Sequence, residues 1–370
     1  MNKEILDSVP SIISVLGRER STGSAAFLGF DACIDTIVRI VREKDENNDT
    51  GFYSSSRQFG EYLISSENKS CGIELQTRIS KFGGNMAITG NALGNLGIKT
   101  DCAGTFGLPD ILPFFRSISS NCTLHTIGDT ITATALEFDN TKVILFDPGH
   151  YDNLTWGSIK SLIGVDQIKK WLLGKQLISF LNWSEIARSS EIWEGFLNEI
   201  IPGVIPAGSR PLFFTDLSDC SRKSVEEIKN AVRLVSEFRE YFETILSLNH
   251  NEADLVATAL GISQSTSDED FVKSLFRSTN TNILVIHRTE DAIAYDGVAF
   301  EKCTTFLCKD PVILTGGGDN FNAGFCFAQL QGLELFPSLL VANAVSGYYV
   351  KTAISPDINQ LISFLKENQL

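Results

Sequence analysis

The sequence lacks the features that mark several protein classes. It has no excess of basic charge: 31 Lys and Arg stand against 45 Asp and Glu, a formal net charge of −14. Surfaces built for polyanions normally show a basic excess, so nucleic acid is not expected as a partner. Histidine is limited to four residues, and the eight cysteines (33, 71, 102, 122, 220, 303, 308 and 326) contain no Cys-x-x-Cys pair. Cys303 and Cys308 lack two further soft ligands nearby in sequence, which argues against structural zinc; the cysteines read as reduced thiols of a cytoplasmic protein. No apolar run approaches the roughly 18 residues that span a bilayer, and residues 1–17 lack the basic start and uninterrupted apolar stretch of a signal peptide. The expectation is a soluble chain with no membrane partner. Gly-Lys-Ser/Thr is absent, which excludes a P-loop, and the triple-glycine cluster lies near the C-terminus, not between a first strand and helix as a dinucleotide fold requires.

What is present is enough apolar material for a large core: 370 residues, 43% of them hydrophobic. Short apolar runs alternate with segments of helical period, the pattern of a doubly wound, mostly parallel sheet with helices on both faces. Candidate strands are 25–30, 142–146, 177–181, 212–215, 244–248 and 282–286. The first 17 residues suit an amphipathic helix. Another helix starts at Ser224, where Ser-Val-Glu-Glu forms a capping box, and the last is expected to have Ser355 as N-cap and Pro356 at N1. Residues 36–81 depart from this rhythm. An alternating piece, an acidic turn and Phe52-Tyr53 read as a hairpin, with a further strand near 73–79. We expect residues 1–35 and 82–370 to form the main domain and 36–81 a projecting β lid, a surface through which a homodimer could join.

Four motifs carry chemistry. Leu314-Thr-Gly-Gly-Gly-Asp319 opens a helix with Phe321, Phe325 and Ala328 on one face and Gly332 to end it. Three glycines at a helix N-terminus offer backbone N–H groups, close access and the positive end of the dipole, which together make an anion site. A lone Asp there would be an ordinary cap; the stripped glycines argue for more. The second motif, from Gly83-Gly84-Asn85 to Leu96-Gly97, is a turn leading into a small-residue helix able to pack closely on a sheet. The third places Asp31 and Asp35 at the end of the first strand, where unpaired burial would be costly. The fourth, Asn249-His-Asn-Glu252, joins a strand to a helix.

The first two motifs resemble the signatures of the PfkB carbohydrate kinases, the ribokinase-like family, with Gly317 in place of the usual Ala. The resemblance covers roughly residues 24–353. It implies phosphorylation by ATP of a hydroxyl on a sugar or sugar-like molecule. Asp319 would be the catalytic base and Gly316, Gly317 and Gly318 the anion hole. Gly84 and Asn85 would contact the sugar, as would Asp35, with Asp31 as a second candidate. Asn249 and Glu252 would organise Mg²⁺ through water, Asn249 also serving the nucleotide; His250 is read as a bystander, since Mg²⁺ prefers oxygen donors.

Three positions depart from the family pattern. Ile88 replaces an Asn of the sugar motif. His287-Arg-Thr-Glu-Asp-Ala292 replaces a glycine-rich phosphate turn, leaving Arg288 or Thr289 to substitute. Val312 replaces the Asp that helps hold a monovalent cation, so a K⁺ site of the usual kind is doubtful. Asp310 could reach it only if an extended 310–314 segment bulged at Pro311. Asn343, on a small-residue helix, is the candidate beside adenine. Two other functions stay open: a nucleoside kinase, for which Phe30, Phe52, Tyr53 and Trp183 are potential base-binding walls, and a non-catalytic binding protein with a kinase fold.

Overall fold

The structure is a computed structural model that describes residues 3–17, 24–47, 49–139, 141–263, 265 and 267–368. Nine strands form the large sheet: β1 (Ala25–Phe30), β5 (Lys99–Gly104), β6 (Cys122–Thr126), β9 (Leu177–Phe180), β10 (Leu212–Asp216), β11 (Glu243–Asn249), β12 (Ile283–His287), β13 (Asp291–Tyr295) and β14 (Phe300–Thr304). Their order is β14-β13-β12-β11-β10-β9-β1-β5-β6. Neighbours from β12 to β6 pair in parallel, while β13 and β14 turn back antiparallel. Side chains alternate across a strand, so adjacent residues serve opposite faces. Phe27 and Phe213 enter one buried cluster with Phe180 and Phe238, whereas Leu28 and Phe214 enter the other with Phe321 and Phe325. Helices cover both faces because both carry apolar side chains.

A second, five-stranded sheet stands apart from the first. It comprises β2 (Cys33–Lys44), β3 (Thr50–Phe52), β4 (Leu75–Gly83), β7 (Ile131–Glu137) and β8 (Lys142–Phe146), ordered β3-β2-β7-β8 with β4 also on β2. Three of its strands thus fall in or overlap residues 36–81, and two, β7 and β8, come from later in the chain. Segment 142–146, expected in the main sheet, belongs here instead, antiparallel to β7. The apolar run misled because Val143, Ile144 and Leu145 are exposed, not covered by a helix layer.

Two further expectations are corrected. The last helix, Ile358–Glu367, is capped by Asp357, whose side chain accepts Gln360 N–H in a capping box. Ser355 is buried and Asn95 donates to its carbonyl. The segment before the triple glycine is no strand: residues 305–316 form an irregular loop in which Asp310 and Val312 are exposed. The remaining helices follow their signals. Ser224 and Glu227 cap each other at the start of Val225–Phe238, and the first helix, Lys3–Leu16, buries Val9, Ile12 and Leu16.

Candidate active site

In open parallel sheets, ligands bind beyond the carboxyl ends of the strands, where backbone and helix starts converge. Here that edge carries Asp31 after β1, Asn182 after β9, Asp216 closing β10, Asn249 closing β11 and His287 closing β12. Two cavities open along it. The larger, about 600 Å³, is bordered by Arg288, Thr289, the 305–308 loop, Gly317 and Asn343. The smaller, about 280 Å³, is bordered by Asn85, Asn182, Asp216, Glu252, Gly318 and Asp319. Asn249, His287 and Gly318 line both, so the cavities meet at the triple glycine.

Asp319 lies in the first turn of the helix Gly317–Leu330, whose N-cap is Gly316. Gly316 has φ +96, and a Cβ there would lie 2.8 Å from the Tyr349 hydroxyl, so only glycine fits without strain. The Asp319 carboxyl is pushed well above the ordinary carboxylate range, first by burial and then by Asp216 and Asp31, while Lys81 pulls it down. A carboxylate made more basic in this way suits proton abstraction. Of the three glycine amides, that of Gly317 donates to Leu314 O at 3.1 Å.

Asp31 is fully buried, and its oxygens accept Asn85 N–H at 2.7 Å, Met86 N–H at 2.8 Å and Asn182 Nδ2 at 2.8 Å. It caps the helix Asn85–Asn95 from a distance, and neither it nor Asp35 is among the residues that border the small cavity. A Cβ on Gly84 would come within 2.7 Å of Asp31, which explains the glycine. Asn85 does border the small cavity, where its Nδ2 donates to Ser218 Oγ at 2.7 Å. Asp35 sits on β2 opposite Lys81 of β4. Burial raises its pKa, against the pull of Cys33, Lys81 and Lys142.

Sequence reasoning missed four residues here. Asp216 is buried in the wall of the small cavity, where its Oδ2 accepts Asn322 Nδ2 at 2.7 Å. Lys81 donates to the Tyr349 hydroxyl at 2.7 Å, and Lys142 to Thr315 Oγ1, so two lid lysines grip the loop that leads into the glycines. Asp216 shares a legible signal with Asp31, an acid leaving an apolar strand. The lysines and Asn182 carry none.

Asn249 and Glu252 form a capping box: Asn249 Oδ1 accepts Glu252 N–H, Glu252 Oε2 accepts Asn249 N–H, and Asn249 Nδ2 donates to Oε1 at 2.6 Å. Direct metal ligation would break this box, whereas outer-sphere contact through water leaves it intact. Glu185, Asp216, Asp219, Glu252 and Asp319 line the small cavity without a Lys or Arg among the described residues. Such a wall fits a hydrated Mg²⁺. His250 is exposed and lies on the wall of the large cavity. Arg288 forms ion pairs with Asp268 and Asp291, so its charge is already engaged. Thr289 borders the large cavity. Asn343 is buried on that wall: Nδ2 donates to Thr304 O at 3.2 Å, and Oδ1 has no partner among the described residues.

The aromatic walls proposed for a nucleoside do not converge. Phe30 and Trp183 belong to the main core, Tyr53 packs with Phe59 and Tyr62 in the lid, and Phe52 lies under Arg39.

The family model for prokaryotic ketohexokinase matches residues 11–368. A ketohexokinase of Haloferax volcanii is 25% identical over 352 residues, spanning 94% of this chain and 92% of the relative. Among solved structures, Arabidopsis thaliana ribokinase complexed with ribose and ATP aligns with a TM-score of 0.63 at 14% identity, over 93% of this chain and 99% of that one. A structure described as a ribokinase II of E. coli, in complex with ATP and Mg²⁺, aligns with a TM-score of 0.64 at 12% identity, over 93% and 100%. The adenosine kinase of Sinorhizobium meliloti aligns with a TM-score of 0.62 at 15% identity, over 94% and 99%. The chain therefore belongs to the prokaryotic ketohexokinase family, within the ribokinase-like (PfkB) carbohydrate kinases, phosphotransferases with an alcohol group as acceptor.

Proposed function

We propose that the chain transfers the γ-phosphate of ATP to a hydroxyl of a free ketohexose. The observation that carries this reading is the position of Asp319, in the wall of the small cavity and beside the glycines where that cavity meets the large one. The large cavity takes the nucleotide, with Thr289 and Asn343 at its wall, and the small one the sugar, with Asn85 on its wall and Asp35 approaching from the lid. Asp319 accepts the proton of the attacking hydroxyl, and the amides of Gly316, Gly317 and Gly318 face the charge on the phosphoryl oxygens. Gly317 does so only when its bond to Leu314 opens. Mg²⁺, held through water by Asn249 and Glu252, would neutralise phosphate charge. The polar wall and modest volume of the small cavity favour a sugar over a nucleoside.

The reading includes no dedicated K⁺ site, because Val312 offers no oxygen and Asp310 lies out in solvent. Replacing K⁺ by tetramethylammonium at constant ionic strength should change activity little; a severalfold loss would count against this. A cytoplasmic location belongs to the same proposal, as does a homodimer through the lid, whose Leu75, Ile79, Ile144 and Leu145 are exposed. The test of function is a screen of ketohexoses, aldoses, pentoses and nucleosides with ATP and Mg²⁺. Turnover confined to a nucleoside would overturn the sugar assignment, and no turnover at all would favour a binding protein.

A further inference from the structure

We propose that Ser218 is a positioning residue for the acceptor: its hydroxyl fixes the Asn85 side chain so that Asn85 Oδ1 faces the small cavity and accepts a hydrogen bond from a hydroxyl of the sugar. This rests on the sugar-kinase reading above. Ser218 and Asn85 both border that cavity, and Asn85 Nδ2 donates to Ser218 Oγ at 2.7 Å. With its nitrogen turned to Ser218, the amide is left with its oxygen for a ligand. That oxygen takes no hydrogen bond among the described residues, and it is not sealed in the interior as Asn182 Oδ1 is. An amide oxygen only accepts, so the group it recognises is a donor, which the hydroxyls of a neutral sugar supply.

The direction of this bond is set from behind. Ser247 Oγ on β11 donates to Asn322 Oδ1 at 2.8 Å, and Asn322 Nδ2 donates to Asp216 Oδ2 at 2.7 Å. Asp216 Oδ1 accepts the Ser218 backbone N–H at 2.7 Å and, more weakly, the Ser218 hydroxyl at 3.5 Å. The hydroxyl proton thus points inward to a carboxylate, which leaves the lone pairs of Oγ to receive Asn85. Ser247, Asn322 and Asp216 are all buried, so solvent does not compete for these bonds. Asn322 lies one turn beyond Asp319 on the helix Gly317–Leu330. The relay therefore connects the helix that carries the base to the turn that carries Asn85.

The backbone at Ser218 supports the same role. Its φ is +60, in the left-handed region that glycine adopts without strain. Serine is the strained choice there, and it differs from glycine by a Cβ and the Oγ that meets Asn85. Strain kept on a cavity wall together with such a contact is the pattern of a residue retained for the site.

The probe is D-fructose with ATP and Mg²⁺, replaced by whichever sugar the screen shows to be the better acceptor. Ser218→Gly should raise acceptor KM about tenfold, as loss of one well-placed neutral hydrogen bond does, with kcat changed less than about threefold and ATP KM less than about twofold. Its melting temperature should equal or exceed that of wild type, because glycine relieves the strain; a residue serving only the fold would lose stability instead. Asn85→Ala, or Asn85→Ser should the first not fold, should lose at least as much acceptor kcat/KM. Adding Ser218→Gly to that variant should change kcat/KM by less than about twofold, because Ser218 acts through Asn85. Wild-type acceptor KM in Ser218→Gly, a fall of several degrees in its melting temperature, or losses that multiply in the double variant would each overturn the proposal. Calorimetry separates it from the kinase reading. A wild-type protein that binds D-fructose with the same pattern among the variants but transfers no phosphate would sink that reading and leave the relay standing. One that neither binds nor phosphorylates any sugar of the screen would overturn both.

Discussion

Asp31 and Asn85 are joined across 54 residues of sequence: Oδ2 of Asp31 accepts the backbone N–H of Asn85 at 2.7 Å. One buried carboxylate thus ties the end of the first strand to the turn that carries Asn85, on the wall of the small cavity. It stands in for the missing side-chain cap at Gly84.

This carboxylate should make stability depend on pH. Burial pushes its pKa up to about 6 from an ordinary 3.8, against hydrogen bonds from Met86, Asn182 and Asn85. The folded state then holds the proton more tightly than the unfolded chain. The group's contribution is therefore greatest below about pH 4 and falls as pH rises to about 6, by roughly 3 kcal/mol in all. Asp31→Asn abolishes that titration and leaves two N–H donors facing an amide, a cost of about 1–3 kcal/mol at pH 7. Denaturant unfolding should find the variant's deficit larger at pH 4.5 than at pH 7. A deficit that shrinks on acidification would contradict the assignment.

Lys81 should tune the base. It lowers the pKa of Asp319, which burial and three neighbouring carboxylates, Asp216, Asp31 and Asp35, raise. In Lys81→Met the Asp319 pKa rises further, so the acidic limb of kcat/KM should move to higher pH. A profile that stays in place, or moves to lower pH, would separate Lys81 from the base.

Gly316 should tolerate no side chain. Alanine at φ +96 costs on the order of 1–2 kcal/mol in backbone strain alone, and its Cβ meets the Tyr349 hydroxyl at 2.8 Å. Gly316→Ala should lower the melting temperature by several degrees and reduce kcat more than it weakens ADP binding. A variant as stable and active as wild type would show that the loop can adopt another path.

The sequence disclosed the architecture where signals were local. The Ser224 capping box, the apolar run 25–30 and the glycines that open a helix at Asp319 all act within a few residues, and each appears in the structure as read. Errors arose where tertiary context decides. Val143 to Leu145 looks like a buried strand but lies in an exposed sheet, and Val312 and Leu314 look like core but sit in a loop. The site was legible in its motifs and illegible in its cross-links. The grip of Lys81 on Tyr349 spans 268 residues, and the bond from Asn182 to Asp31 spans 151. No pattern along the chain signals such pairs.

The central claim is that Asp319 removes the proton from the attacking hydroxyl, and Asp319→Asn tests it most directly. The amide is nearly isosteric and cannot accept that proton. The account predicts a kcat lowered by about 10²–10⁴-fold, with ADP affinity and melting temperature close to wild type. A variant with intact fold and near wild-type kcat on the sugar that the screen identifies would contradict it.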